Sequence, residues 1–457
     1  MATSSTTFHA AMFPWFAIGH LTPFLHLANK FAERGHRVSF LLPTKTQTKL
    51  NTFNLHPDLI SFIPLVVPHV DGLPLGAETM SDTNQGHALC VAMDNMKSPV
   101  EVVLEQLKPD IIFYDFANWI PAFARRLGIK SVFYNVVSAA AVAYLFVPAR
   151  KLSDVQKGNE LKELMQPPSG FPDQSLEVRL YEASTALFAY MEFGNSKSIY
   201  ERITTAMNDC DAIGIRTCLE IESPSLSYME SQYGKPLLCS GPLLPEPPTL
   251  QLEDRWTNWL GHFKEKSVIY CALGSEVVLK KDQFLELVLG LELTGLPFFA
   301  ALKSPSGAST IEEALPEGFH ERVGERGVVH GGWVQQQLIL GHPSVGCFVS
   351  HCGFGSMWES LLNDAQIVLL PQLLDQCLNT KSMTNDLKVA VEIERREEDG
   401  WFTRENVCNA VKLMMDEESE IGINERANHI KIKKLLSKKG FETSYIDSFI
   451  ANLQGLL

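Results

Sequence analysis

Between Cys347 and Ser360 the chain reads CFVSHCGFGSMWES, a run built like a buried strand that breaks into an imidazole, two glycines and a hydroxyl before a helix. Gly353 and Gly355 let a ligand approach the backbone closely. A helix start offers unpaired N–H groups at the positive end of its dipole, which suits a phosphate. His351 and Ser356 add side-chain donors at the same place, so the stretch reads as a diphosphate cradle. A local reading competes for Ser356 and Glu359, which have the spacing of a capping box. Around the cradle, Trp333 offers an indole for a base and Gln336 an amide for hydroxyls, while Asp375 and Gln376 make a polar pair just past a strand. Together these fit a nucleotide sugar, although a tryptophan beside a strand is more often core.

Rival chemistries fail on spacing. A dinucleotide fingerprint needs a third glycine, but Gly353 and Gly355 are followed by Ser356, Met357 and Trp358. No phosphate-loop motif occurs. Asp209-Cys210-Asp211 imitates an Asp-x-Asp metal–nucleotide pair, yet it stands just ahead of a strand, where acidic residues mark turns. The nine cysteines include no CxxC pair, so no metal site is expected and the thiols read as reduced.

The elements that must position these residues repeat a strand–helix–strand pattern. Residues 8–13 read as a strand, 14–20 as a loop, 22–35 as a helix stopped by Gly35, and 37–42 as the next strand. Further strands are predicted at 110–116, 130–134 and 212–217. After the proline-rich 241–254 the pattern restarts, with strands at 267–275, 296–302, 327–333, 345–351 and 366–371 and a helix at 281–295. The expected fold is α/β with two Rossmann-like, doubly wound parallel sheets facing across a cleft. Residues 1–240 form the first domain, 241–254 a linker and 255–436 the second domain; 437–457 is a terminal helix able to pack back on the first.

At 457 residues two domains are the prior. A net charge of −14 argues against nucleic acid, which demands a basic footprint. The most apolar run, AAAVAYLFV at 139–147, is about half the roughly 20 residues a spanning helix needs. The amino terminus lacks a signal-peptide pattern. A cytoplasmic monomer without a membrane span is expected.

From Trp333 to Gln376 the sequence resembles the signature box of plant secondary-product UDP-glycosyltransferases, and the likeness extends through PWFAIGHLTPFLHLANKFAERGH, GLPLGAETMSD and FYDFANWIPAFARRLGIKSVFY. The resemblance implies a GT-B fold and an inverting, metal-independent transfer from a UDP-sugar co-substrate. Trp333 would stack on uracil with the Val334 backbone on the base edge, and Gln336 and Glu359 would hold the ribose. His351, Ser356 and Ser275 would contact the diphosphate, and Asp375, Gln376 and Ser138 the donor sugar. His20 would be the general base and Asp115 its carboxylate partner; the competing reading of His20 is a loop histidine capping the next helix. Where the family commonly has Trp-Asn, Phe354-Gly355 stands here, so only a backbone N–H replaces the Asn amide. HCGFGS, MFPWFAIGHL and GAETMSD resemble the subgroup that adds a second sugar to flavonoid or anthocyanin glycosides, at a 2″-hydroxyl. That implies UDP-glucose as donor, with UDP-xylose, UDP-rhamnose and other small-molecule glycosides as alternatives. Trp15, Phe16 and Trp119 are candidates to stack on the acceptor, although each taken alone is more often core. A non-enzymatic alternative is a module that binds a nucleotide sugar without turnover; His20 and Asp115 favour the enzyme, because binding needs neither.

Overall fold

Thirteen strands make two all-parallel sheets in the computed structural model, which describes residues 7–152, 158–195, 197–243, 251–274 and 277–457. The first sheet has the order β3-β2-β1-β4-β5-β6-β7. Its strands are β1 (His9–Phe13), β2 (Arg37–Pro43), β3 (Ile60–Leu65), β4 (Ile111–Tyr114), β5 (Lys130–Asn135), β6 (Ala212–Ile215) and β7 (Leu237–Cys239). The second runs β10-β9-β8-β11-β12-β13. It contains β8 (Val268–Ala272), β9 (Phe298–Ala301), β10 (Gly327–His330), β11 (Val345–Ser350), β12 (Gln366–Leu369) and β13 (Ala390–Glu392). Central strands such as β1, β4, β8 and β11 are near-continuous apolar runs because helices cover both faces of a parallel sheet.

In both sheets the chain reverses direction of winding beside the first strand. The reversal falls between β1 and β4 in one and between β8 and β11 in the other. Crossovers leave in opposite directions at such a point, and the crevice they open at the carboxyl ends of the strands is where open α/β sheets take ligands.

Helices that reach these points are α1 (Ile18–Ala32), α2 (Gly86–Asn95), α3 (Ala139–Leu145), α4 (Ile199–Asp209), α5 (Phe354–Leu362) and α6 (Leu374–Lys381). A seventh, α7 (Phe441–Gln454), places Ile446, Phe449, Ile450 and Leu453 in the same core as Phe24, Phe31, Phe113 and Tyr134. The core explains Gly214 on β6, where a Cβ would come 2.8 Å from the Tyr134 ring and 3.2 Å from Phe449.

The chain divides into two compact units, Met1–Glu177 with Leu187–Pro245 and Gly440–Leu457, and Val178–Ala186 with Glu246–Lys439. One short segment departs from the sequence expectation of a first domain spanning 1–240. Val178–Ala186 joins the second unit, where the buried Glu182 carboxylate meets Lys381 at 3.7 Å and Arg179 meets Glu392 at 3.8 Å. Half of the expected linker, residues 244–250, lies outside the described residues. Among those described, no helix is long and apolar enough to cross a membrane.

Candidate active site

His20 and Asp115 meet at the switch point of the first sheet although 95 positions separate them. Asp115 follows β4 directly, and its Oδ2 accepts from His20 Nδ1 at 2.6 Å. Its Oδ1 accepts from the backbone N–H groups of Trp15 and Phe116, both at 2.7 Å. One carboxylate therefore ties the loop after β1 to the loop after β4. It is 3% exposed, whereas the His20 side chain keeps 21% of its surface open. An imidazole held through Nδ1 by a buried carboxylate leaves Nε2 as the basic nitrogen. The helix begins at Ile18, earlier than the sequence reading of 22–35, so His20 lies in the first turn of α1 and not in a loop. No side chain caps that turn, so the competing reading of His20 as a cap fails.

At the second switch point the chain turns sharply from β11 into α5. Cys352 adopts φ +59°, a left-handed conformation that a residue with a Cβ takes only when its surroundings enforce it. Ser350 Oγ accepts from the Cys352 N–H at 3.2 Å, and Asn379 Nδ2 donates to the Cys352 carbonyl at 2.9 Å. The turn packs around the His351 ring: a Cβ on Gly274 would lie 2.6 Å, and one on Gly353 2.5 Å, from its Nε2. Burial lowers the His351 pKa to about 4, so its ring is a neutral imidazole near neutral pH. Gly353 caps α5, and no side chain does. Its first N–H groups are thus open to an anion. Ser356 sits inside the first turn, which overturns the capping-box reading of Ser356 and Glu359. Gly355 is exposed, and a Cβ there would meet nothing within 4 Å.

Glu359 instead belongs to a polar cluster. Gln336 Nε2 donates to its Oε2 at 2.5 Å, and Gln337 Nε2 to its Oε1 at 3.4 Å. Tyr270, whose hydroxyl burial keeps protonated, donates to Gln336 Oε1 at 3.2 Å and so fixes which way that amide points. Trp333 is 77% exposed, unusual for an indole and suited to stacking on a base. Val334 is buried beneath it, its carbonyl accepting from the Gln336 N–H at 2.9 Å.

Three sequence candidates spend polar atoms on structure. Gln376 Oε1 accepts from the N–H groups of Gln372 and Leu373, at 2.9 and 3.2 Å, closing the start of α6 and leaving only its amide N–H groups. Asp375 lies beside it in the first turn, half-buried. Ser138 is 2% exposed and caps α3, its Oγ accepting from the Ala141 N–H at 3.2 Å. Asp211 is tied to the amino end of β5, its Oδ2 accepting from the N–H and hydroxyl of Ser131, far along the strands from His20. Ser275 lies outside the described residues.

The aromatic candidates need correcting. Trp15, Phe16 and Trp119 are 4%, 0% and 8% exposed, and Trp119 turns its indole N–H inward to Asp94 at 3.0 Å. The loops fold back over the sheet end and bury all three. Half-buried aromatic surface comes instead from Phe116 and Phe193, which the sequence reading missed. Phe116 directly follows Asp115, and that adjacency was the available signal; Phe193 offered none.

The chain is similar to known glycosyltransferases in sequence and in fold. The model described as UDP-glucoronosyl and UDP-glucosyl transferase matches residues 315–424, the span holding Trp333, His351, Glu359 and Gln376. The cyanidin 3-O-galactoside 2″-O-xylosyltransferase of Actinidia chinensis var. chinensis is 55% identical over 99% of both chains. The anthocyanidin 3-O-glucoside 2″-O-glucosyltransferase of Ipomoea nil is 52% identical over 100% of both. Among solved structures, Glycyrrhiza uralensis UGT73P12 complexed with glycyrrhetinic acid 3-O-monoglucuronide superposes with a TM-score of 0.80 at 22% identity, covering 99% of this chain and 96% of the other. Two Rossmann-like parallel-sheet units with these sites define a GT-B glycosyltransferase that uses a UDP-sugar and a small-molecule acceptor. The chain belongs to the plant UDP-glycosyltransferase family.

If Glu359 holds ribose hydroxyls, replacing it removes hydrogen bonds to a charged group, each worth about 1.5–3 kcal/mol. Glu359→Ala is expected to weaken UDP binding by roughly tenfold or more, measured by calorimetry. An unchanged dissociation constant would remove Glu359 from the site.

Proposed function

We propose that the protein transfers glucose from UDP-glucose to the 2″-hydroxyl of a flavonoid or anthocyanin 3-O-glycoside, with inversion. The observation that carries the chemistry is the 2.6 Å contact from His20 Nδ1 to Asp115. An alcohol is a poor nucleophile until a base takes its proton. His20 Nε2 removes that proton as the acceptor oxygen bonds to the anomeric carbon. The bond from that carbon to the β-phosphate oxygen breaks, and UDP leaves with the electron pair. Attack opposite the leaving group turns an α-linked donor into a β-glycoside. Asp115 supports the imidazolium that forms, while the α5 amide groups, His351 and Ser356 take the growing charge on the diphosphate. The acceptor class rests on the 2″-O-glycosyltransferase relatives and on HCGFGS and GAETMSD.

His20→Ala is expected to lower turnover at least a hundredfold while UDP binding is retained. Asp115→Ala should be nearly as damaging, and the double variant no worse than His20→Ala, because the pair acts as one unit. More than a tenth of wild-type turnover in His20→Ala would dismiss it as the base.

Transfer is further proposed to need no divalent ion. Asp211 is occupied by Ser131, and the diphosphate has a helix start and neutral donors. Activity should be the same in EDTA as in added magnesium or manganese; loss in EDTA with recovery on metal addition would refute the idea.

A second donor reading, xylose, is favoured by the xylosyltransferase at 55% identity. The anthocyanidin 3-O-glucoside 2″-O-glucosyltransferases at 52% and 51% identity support glucose first. A matrix of UDP-glucose, UDP-xylose and UDP-rhamnose against quercetin, cyanidin and their 3-O-glucosides decides both substrates. UDP-glucose with the glucosides should give the highest kcat/KM, since an aglycone hydroxyl would stand one sugar-length from the anomeric carbon. Preference for aglycones would end the branching assignment, and preference for UDP-xylose the glucose one.

A further inference from the structure

Phe116 stands next to His20, and Phe193 stands against Phe116 from a different segment; neither is part of the sheet. The Phe116 ring lies edge-on to the His20 imidazole at 5.7 Å between centroids and stacks on Trp15 at 4.9 Å. Phe193 is 5.6 Å from Trp15 and 5.9 Å from Phe116. Both rings keep part of their surface open.

One buried guanidinium holds the backbone of each. Arg202 on α4 is 1% exposed. Its Nη1 donates to the Phe116 carbonyl at 3.1 Å and to Asn118 Oδ1 at 3.0 Å, and its Nε donates to the Phe193 carbonyl at 3.1 Å. Asp94 on α2 balances the charge, with Nη1 to Oδ1 at 3.0 Å and Nη2 to Oδ2 at 2.6 Å. The same carboxylate accepts from the Asn195 N–H at 3.0 Å and from Trp119 Nε1. Burial would raise the Asp94 carboxyl, but the Arg202 guanidinium outweighs it and holds the pKa below the usual value. Gly194, at φ +81°, runs so close that a Cβ would come 2.6 Å from Asp94 Oδ2 and collide with Arg202 Nη2.

A buried ion pair is weak evidence for stability, because packed apolar residues of the same volume often do as well. What this pair does that an apolar pair would not is end its donors and acceptors on the segments carrying Phe116 and Phe193. The Phe116 peptide is gripped at both ends, its carbonyl by Arg202 and its N–H by the Asp115 carboxylate.

We propose that Asp94 and Arg202 are positioning residues that set Phe116 and Phe193 as the aromatic walls against which the acceptor's ring system stacks beside His20. The proposal rests on the reading of the substrate as a flavonoid-type glycoside. Flat aromatic rings gain from offset or edge-on partners, so walls held in place contribute to binding of the acceptor's rings.

The test measures binding of quercetin 3-O-glucoside to UDP-loaded protein by calorimetry, alongside steady-state kinetics. Arg202→Lys and Phe193→Ala should each weaken acceptor binding and raise its KM about tenfold, keep UDP affinity within about twofold, and lower kcat less than KM rises. Phe193→Tyr should recover most of the acceptor affinity lost in Phe193→Ala. Unchanged acceptor affinity in Phe193→Ala, or a fall in kcat with KM unmoved in Arg202→Lys, would overturn the proposal. Should Arg202→Lys fail to bind UDP because it misfolds, Phe193→Ala decides alone. Acceptor binding needs no turnover, so an active His20→Ala variant would remove the base assignment and leave this result standing.

Discussion

A single carboxylate organises the first half of the molecule. Asp115 accepts from His20 Nδ1 on one oxygen and from two backbone N–H groups on the other, so all three donors point at one buried anion. Buried anions are tolerated when each lone pair finds a partner, and here the partners belong to loops leaving adjacent strands. An amide in its place would turn one acceptor into a donor aimed at another N–H. The geometry of the base is consequently inseparable from that of the crossover, and His20 is presented from the first turn of a rigid helix, not from a mobile loop. Arg202 extends the same anchoring outward through Phe116.

The second half solves a different problem, which is to meet an anion with backbone. The two glycines of the HCGFGS stretch are present for unlike reasons. Gly353 is required by the His351 ring, which leaves no room for a Cβ, and Gly274 hems the ring from the other side. Gly355 faces open space, so packing does not require it. The strained φ at Cys352 directs β11 into α5, and Ser350 and Asn379 satisfy the backbone groups the turn exposes. On the proposed reading, a histidine kept neutral by burial would add a donor without adding a charge that a leaving diphosphate would grip too tightly.

Much of this was legible from residue order, and the losses have physical causes. Ten of the strands announced themselves as apolar runs, whereas β3, β7 and β13 are edge or near-edge strands with weak patterns, such as the half-exposed ISFIPL. Residues near one another in sequence at a strand end, such as His351, Gly353 and Ser356, could be read as one site. Side-chain atoms already committed to the backbone could not be, and so Ser138 and Gln376 looked freer than they are. Trp15 and Trp119 were candidates to stack on an acceptor, each with core as the commoner reading, and the loops that carry them do fold inward over Asp94 and Asp115. The Asp94–Arg202 pair spans 108 positions with no motif to signal it.

The committed atoms also bear on how a donor sugar is told from its neighbours. Glucose and xylose differ by one hydroxymethyl group, and discrimination on so small a group is worth about 1–3 kcal/mol unless a buried polar partner is left unpaired. The Gln376 oxygen is spent on the start of α6, so on the proposed reading this residue would meet a sugar through its amide N–H groups, beside Asp375. A carboxylate accepts from any hydroxyl within reach and an amide donates to any oxygen, so on the proposed reading this pair would hold the hydroxyls that glucose and xylose share. On the proposed reading, selectivity for the sixth carbon then falls to side chains beside the box. Relatives at 55% and 52% identity carrying xylosyl and glucosyl names are the pattern that such a division of labour produces.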